Sequence, residues 1–563
     1  AKGGQSFTVS KPLAVDTTER PGLSALQLNS WNGTPIGVSP VFDSGTYQYS
    51  ASVANSVYGV TLESLALFPG STIQVSVNGG TPQTVDSGTA SGLLPLNVGA
   101  NTIIVKVTDD KGNETEYEIT VTRAGSGSSG GGSGSGGTPS QPEDKSGIQT
   151  SVNDKDEPFA TGTVTDNGGR STTAVQVDPD KLKEKLAQGS GQKLKIHSPN
   201  EGDVKVDGLT AADVKQIADK GASLEISNPL AIYPVPGGKM DLSGVSGQLG
   251  NAALGDIAVH IDIKRSPEAL INNAQSQAAS KGYELLVPPV DLDLTFTSGG
   301  KTVRSEQLNG YAPKYIALPE GIDPNRITTG VIVNPDGSVF HVPTVVTKID
   351  SRYYALINDL RSSGSYSVIW NPQDFDDVRT HWGKADVNNI AARLSLAGNG
   401  DNTFSPDRNV TRSEFSEIVV VGLGLMRQSA PQNQFPDVPA LAWYRNSVAI
   451  ANEFDIVRGY NDGNFYGTRQ ITREQGFAMI ARALRLINPQ ASLSEQRIGE
   501  LLSKYEDAAN VSAWAREDAA QLIAAGIVQG NGADTLKPKT NMTRAEVTAL
   551  IARLLKTTEL IDK

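Results

Sequence analysis

Three stretches of this chain open in the same way, and the distance leading up to each is constant. They read NVTRSEF at 409–415, QITREQGF at 470–477 and NMTRAEV at 541–547. A tryptophan precedes each arginine by 30 residues: Trp382 to Arg412, Trp443 to Arg473 and Trp514 to Arg544. Between them lies a glycine-containing turn, GNGDNTF at 398–404, GYNDGNF at 459–465 and GNGADTL at 530–536, whose last residue stands eight before the arginine. A spacing held this well describes one rigid unit: helix, tight turn, bridge, helix. The first helix carries Ile390 and Leu394, Ile450 and Phe454, or Leu522 and Ile523. The second carries Phe415, Ile418, Val419 and Leu423 in the first copy, and Val547, Leu550, Ile551 and Leu554 in the third, an apolar stripe at helical period. A helix pair with one apolar face cannot bury that face alone, whereas three pairs can by closing about a shared axis.

The helix starts carry their own chemistry. Thr411 with Glu414, Thr472 with Gln475 and Thr543 with Glu546 have the spacing of capping boxes. Val410 and Phe415, and Met542 and Val547, can form hydrophobic staples, while Gly476 leaves the middle copy without one. Each arginine then falls at the first helical position. That is the positive end of the helix dipole, where a cation costs about 0.3–1 kcal/mol. Three arginines at the same disfavoured position indicate that the charge is wanted there.

The rest of the chain is mostly strand-like. Of its 563 residues none is cysteine, which excludes disulfides and thiolate metal sites and suits either a reducing compartment or a wall-exposed bacterial protein. No run of 18 apolar residues occurs, so no membrane insertion is expected. A start at Ala1 without Met or leader suggests a processed form or a fragment. The net charge of −12, with scattered basic residues, argues against nucleic acid, and the 4 histidines (His197, His260, His341, His381) do not cluster into a triad or metal site. No GxSxG, HExxH or P-loop pattern is present.

The divisions expected are an N-terminal extension at 1–21, a β-sandwich at 22–123, a Gly/Ser linker at 124–148, a strand-rich α+β middle region of one or two domains at 149–372, and helical repeats at 373–428, 433–488 and 503–557. In the sandwich, Ile103, Val105 and Val107 alternate, DDKGN turns, and Tyr117, Ile119 and Val121 return on the apolar face. Thr72–Val77 repeats the pattern. In the middle region, residues 175–177 read as a strand followed by a helix opened by Asp178 and Pro179. Residues 259–263 and 290–296 alternate, and NPDG at 334–337 turns a hairpin. Asp109, Asp110 and Glu114 offer oxygen ligands for calcium, against the alternative of a solvated acidic turn; no other cofactor is expected.

The order LSALQLNS…FDSGTYQYSASV…ITVTR resembles the bacterial cadherin-like β-sandwich family, which implies a fold and no activity. The thrice-repeated pattern FxDV…W…GYxDGxF…TRxE resembles the surface-layer homology (SLH) family over about a third of the chain. That resemblance implies a multidomain surface protein with an all-α C-terminal pseudo-trimer. Grooves between its repeats would bind secondary cell-wall polysaccharide carrying a pyruvate ketal. A ketal is a carboxylate, so Arg412, Arg473 and Arg544 become its candidate ligands, with open helix-start amides as further donors. By the same resemblance Asp377, Asp437 and Asp507 accept sugar hydroxyls or orient the arginines, or else cap the following helix. Trp382, Trp443 and Trp514 pack on sugar faces or belong to the core. Gly398, Gly459 and Gly530 admit close backbone approach to the ligand, or serve turn geometry alone.

The copies differ. Asn402 and Asn399 replace the usual Gly and Tyr in the first, Asp534, Leu536 and Ala508 depart in the third, and about ten extra residues near 488–499 separate the second and third. Unequal grooves are therefore expected. The net negative charge opposes an anionic polymer at long range, but screening beyond ~8 Å leaves the decision to the local groove. The expected protein is extracellular and non-catalytic. It would be held without covalent linkage to the wall of a Gram-positive-type bacterium, and be part of or associated with an S-layer lattice of its own copies. The alternative is an SLH-anchored exoenzyme or carbohydrate-binding protein with its activity in the middle region.

Overall fold

Alternation of apolar and polar residues builds the N-terminal unit. Strands Gly99–Thr108 and Glu114–Arg123 pair antiparallel with Ile103 opposite Ile119 and Val105 opposite Tyr117. All six apolar residues expected to face inward are fully buried. The five-stranded sheet runs Gln48–Val53, Glu114–Arg123, Gly99–Thr108, Thr72–Val77, Gln83–Val85, with its first pair parallel. A four-stranded sheet, Pro35–Ile36, Leu23–Ser30, Gly59–Ala66, Leu94–Pro95, contributes Leu28, Val60 and Leu62 to the same core. The acidic turn is organised from within. Asp109 accepts from the amides of Lys111 and Asn113 at 2.9 and 2.8 Å, and Glu114 pairs with Lys106 at 2.7 Å.

The computed structural model describes residues 21–30, 35–40, 42–53, 57, 59–68, 70–124, 146–166, 171–396, 398, 401–489, 492–530 and 534–562. The N-terminal extension, but for residue 21, and most of the Gly/Ser linker lie outside the described residues. Among the described residues, no helix is long and apolar enough to cross a membrane.

The middle region is built on two sheets. Asp178 caps the helix Pro179–Ala187 after strand Ser171–Val177, accepting from the amides of Asp180 and Lys181. The NPDG turn joins Thr329–Val333 to Val339–Val342, with Val333 opposite Val339. Among the described residues one sheet has eight strands and the other ten. They meet where Gly330 lies against Ile357 and Thr344, a space that a Cβ would fill to within 2.8 Å of Ile357 Cδ1.

This region is joined tightly to the helical tail. Tyr311 Oη donates to Leu423 O at 2.7 Å, and Arg361 donates to Gly424 O at 3.0 Å and Met426 O at 2.7 Å. Arg393 reaches Thr344 O at 3.3 Å, and Asp562 accepts from Val346 N at 3.1 Å. His341 is buried at this junction, with Nδ1 2.9 Å from Thr329 Oγ1. Burial, and secondarily the nearby Arg393, push its imidazole down to about 3. The folded state therefore binds fewer protons than the unfolded chain between that value and the ordinary 6.5, so stability is complete above about 6.5 and declines as the pH falls toward 3. Urea unfolding should show about 2 kcal/mol lost between pH 6.5 and 5 from this residue. The loss should be absent in His341→Gln; equal losses in both proteins would clear His341 of the effect.

The tail holds the three helix pairs: Lys384–Leu394 with Arg412–Gly422, Arg445–Glu453 with Arg473–Ile487, and Arg516–Ala524 with Arg544–Thr557. Their stripes merge into one core containing Ile390, Phe415, Ile450, Phe477, Leu522 and Val547. The extra residues before the third pair contain a helix, Glu495–Leu502, that buries Ile498, Leu501 and Leu502. Gly476 has a packing reason: a Cβ there would stand 2.4 Å from Met542 Sδ and 3.3 Å from the Phe415 ring. The missing staple of the middle copy is the space that its two neighbours occupy.

Candidate functional site

The three Arg-headed helices start against one another in a ring. Short bridges join Thr411 to Gln470, Thr472 to Asn541, and Asn409 to Thr543. The first two amides of each helix donate to the bridge of the neighbouring repeat. Arg412 N and Ser413 N reach Arg469 O and Gly467 O at 2.9 and 3.0 Å. Arg473 N and Glu474 N reach Thr540 O and Pro538 O at 2.9 and 3.0 Å. Arg544 N and Ala545 N reach Arg408 O and Pro406 O, both at 2.9 Å. In the first and third repeats the capping boxes take the third amide: Glu414 N donates to Thr411 Oγ1 at 3.2 Å and Glu546 N to Thr543 Oγ1 at 3.3 Å. The expected open amides for an anion are thus already committed to closing the ring, because helix starts that meet at an axis must satisfy their donors on each other.

The arginine side chains follow the same ring. Arg412 Nε donates to Phe465 O of the second turn at 3.0 Å, and its guanidinium lies over the rings of Phe465 and Tyr460, 4.9 Å from each centroid. Arg473 Nε donates to Leu536 O of the third turn at 2.7 Å. Arg544 lies 4.2 Å over the Phe404 ring of the first turn. Arg412 and Arg473 are 6% and 7% exposed, and Arg544 is half-buried. Carbonyls and ring faces of the next repeat offset the repulsion that the helix dipole imposes on these cations. Burial pulls the pKa of Arg412 and of Arg544 below the ordinary arginine value.

The three aspartates hold the turns from the other side. Asp377 accepts from Phe404 N and Ser405 N at 2.8 and 2.7 Å. Asp437 accepts from Phe465 N and Tyr466 N at 2.8 and 2.7 Å. Asp507 accepts from Leu536 N and Lys537 N at 2.8 and 2.7 Å. Asp437 and Arg412 therefore grip the amide and the carbonyl of the same residue, Phe465, from two repeats, and Asp507 and Arg473 do so at Leu536. With one amide on each oxygen, these carboxylates hold the turns onto which the arginines close. The glycines lie under the aromatic that opens each repeat. A Cβ at Gly398, Gly459 or Gly530 would come within 2.8 Å of the ring of Phe375, Phe435 or Tyr505.

The tryptophans point outward: Trp382, Trp443 and Trp514 are 62%, 64% and 56% exposed. At one repeat boundary this produces a groove of about 730 Å³. Arg412, Arg458, Arg469 and Arg482 line it with Tyr460, Tyr466, Gln475 and Trp514. Its two lining carboxylates are engaged by protein donors. Glu474 takes Ser512 N at 3.0 Å and Lys539 Nζ at 2.6 Å, and Asp462 takes the Tyr466 hydroxyl. Arg458 is paired with Asp455 at 2.5 Å, and Arg469 stacks 3.5 Å over Tyr466. Arg412 Nη1 has no hydrogen-bond partner among the described residues.

Family models match residues 23–124 as a cadherin-like beta sandwich domain and residues 374–416, 434–475 and 504–548 as S-layer homology domains. The chain carries one cadherin-like domain and three SLH domains. It is 25% identical over 397 residues to the amylopullulanase of Thermoanaerobacterium thermosulfurigenes, covering 70% of this chain and 19% of that one. It is 31% identical over 182 residues to exoglucanase XynX of Acetivibrio thermocellus, 32% of this chain and 16% of the other. With S-layer protein EA1 of Bacillus anthracis it shares 27% identity over 181 residues, 32% of this chain and 20% of the other. The chain spans a fifth or less of the length of each of these three relatives.

Of the twelve positions proposed from the SLH pattern, the groove unites Arg412, Gly459 and Trp514. The others stand at the remaining SLH boundaries or inside the turns. Arg458, Arg469 and Arg482 were not singled out from the sequence, and Gln475 only as the capping partner of Thr472. A signal was present for Arg482, which lies seven residues after Gln475 on one helix and shares its face.

Proposed function

We propose that this is a non-catalytic cell-surface protein of the S-layer type, located in the wall and held there by its SLH tail. Its ligand is the anionic, pyruvylated secondary wall polysaccharide, and its β modules associate with further copies in a surface lattice. One observation carries the reading: the groove that joins Arg412, with an uncommitted Nη1, to the exposed indole of Trp514. A guanidinium beside an aromatic face suits a carboxylated sugar, binding the anion by charge-assisted hydrogen bonds and the ring by stacking. The −12 net charge of the whole chain is offset locally by four lining arginines. S-layer relatives by name, among them EA1 and the surface-layer 125 kDa protein of Lysinibacillus sphaericus, support the location. Relatives with enzyme names support a catalytic middle region less well. Burial raises the carboxyls of Glu225 and Asp262 there, and neither lines a cavity of about 330 Å³ at Asp241, Arg304 and Glu306.

Trp514→Ala is the clean test, because the side chain is mostly exposed and its loss should change stability by no more than about 0.5 kcal/mol. Its affinity for purified pyruvylated wall polymer, measured by titration calorimetry, should fall about tenfold, an anchor-residue effect of about 1.4 kcal/mol. Polymer stripped of its ketal by mild acid should bind the wild-type protein weakly. Undiminished binding of the stripped polymer would exclude the carboxylate as the recognised group.

A further inference from the structure

The three SLH boundaries share a geometry but not a charge state, and one side chain accounts for the difference. At the third helical position the repeats carry Glu414, Gln475 and Glu546. Each reaches back to its capping threonine: Glu546 Oε2 accepts Thr543 N at 2.9 Å, Glu414 Oε2 accepts Thr411 N at 2.8 Å and Gln475 Oε1 accepts Thr472 N at 3.1 Å. What remains of the side chain faces the arginine of the preceding repeat in the ring. Glu546 offers a second carboxylate oxygen, and Arg473 Nη1 takes it at 2.7 Å. Glu414 holds Arg408 at 2.5 Å and acts on Arg544 only through space, as Asp437 does on Arg412. Gln475 offers an amide NH2 instead, which donates to the Tyr460 hydroxyl at 3.1 Å. Tyr460 is the ring over which Arg412 lies. Among the described residues no carboxylate forms an ion pair with Arg412.

We infer that the third helical residue is the selector of ligand occupancy: a glutamate closes its boundary by supplying an internal carboxylate, and Gln475 opens the one boundary at which an external carboxylate can take that place. The internal oxygen of Glu546 stands in for the ligand's, on the same atom of the equivalent arginine. A chain with this sequence then binds one carboxylated sugar through its tail. The residue acts on the ligand through Arg412 and so is a positioning and selecting residue. This inference rests on the wall-polymer reading, and the following experiment separates the two.

The probe is the methyl glycoside of an N-acetylated hexosamine carrying a pyruvate ketal, titrated into the full chain by calorimetry. Wild type should bind with a stoichiometry of one. Gln475→Glu should lose at least tenfold in affinity while melting no lower than wild type, since its carboxylate pairs with Arg412 as Glu546 does with Arg473. Glu546→Gln keeps the backward bond to Thr543 and frees Arg473, and its stoichiometry should rise toward two. If wild type binds and Gln475→Glu binds equally well, the selector is overturned while the wall-polymer reading stands. A stoichiometry of one in Glu546→Gln likewise overturns it. If wild type fails to bind the probe, the recognition of a pyruvylated sugar falls, and the selector with it.

Discussion

Arg361→Ala should lower the unfolding free energy of the middle region and tail by about 3–5 kcal/mol, the range for removing one member of a buried ion pair. Asp359 is fully buried and receives Arg361 Nη1 at 2.8 Å, the Tyr366 hydroxyl at 2.6 Å and the Leu360 amide at 2.8 Å. Without Arg361 that carboxylate keeps the bonds from Tyr366 and Leu360 but loses its ion-pair partner. The same guanidinium reaches Gly424 O and Met426 O, carbonyls just past the end of the helix Arg412–Gly422, where a cation is favoured by the dipole. The substitution thus removes a charge partner and two links between the sheets and the first SLH repeat together. Guanidinium unfolding followed by tryptophan fluorescence should show the loss, with the transition of the tail separating from that of the sheets. Arg361→Met with Asp359→Leu should recover part of it, because the carboxylate is then no longer buried without its partner, while the fully buried Lys314 loses the Asp359 charge that favours its protonated form. A single variant costing under about 1 kcal/mol would show that Asp359 is solvated by other means.

How much of this was legible in the chain depends on how far apart the interacting residues lie. Capping boxes, staples and hairpins join residues within a few positions, and Thr411 with Glu414 or residues 103–107 with 117–121 could be read from period and turn chemistry. The closure of three helix pairs was legible because the apolar stripes had no other place to go. The partners of the helix starts were not. Arg412 N meets Arg469 O, a carbonyl in another repeat, and nothing local distinguishes a ring of such contacts from an open anion site. The partners of the aspartates were hidden for a similar reason: Asp437 closes on Phe465, 28 residues on. The helix Glu495–Leu502 had its signals, Ser494 as cap and Ile498, Leu501 and Leu502 as stripe, within what read as an insertion. Unequal grooves were expected from sequence differences in the turns, whereas the selector proposed above is Gln475, at a helix start.

Arg473→Ala should separate the two roles that the repeated arginine combines. Arg473 is 7% exposed, donates to Leu536 O at 2.7 Å and pairs with Glu546 at 2.7 Å. Its removal strips Glu546 of its counter-ion and leaves the Leu536 carbonyl of the third turn without that donor, for an expected loss of about 3 kcal/mol. Because its guanidinium is already matched by an internal carboxylate, affinity for the wall polymer should be unchanged below the melting transition. Arg412→Ala should give a different pair of readouts. It removes a bond of the same kind, to Phe465 O at 3.0 Å, and with it the guanidinium that faces the groove. Both stability and affinity should fall, with affinity reduced at least tenfold at a temperature where the variant is fully folded. Comparing the two variants by denaturant titration and polymer calorimetry measures the cost of ring closure at one boundary and the value of recognition at the other. An Arg473→Ala protein that kept its unfolding midpoint and lost its polymer would place the anion site at the Glu546 boundary. Ring closure would then no longer explain why a cation stands at the start of each of these helices.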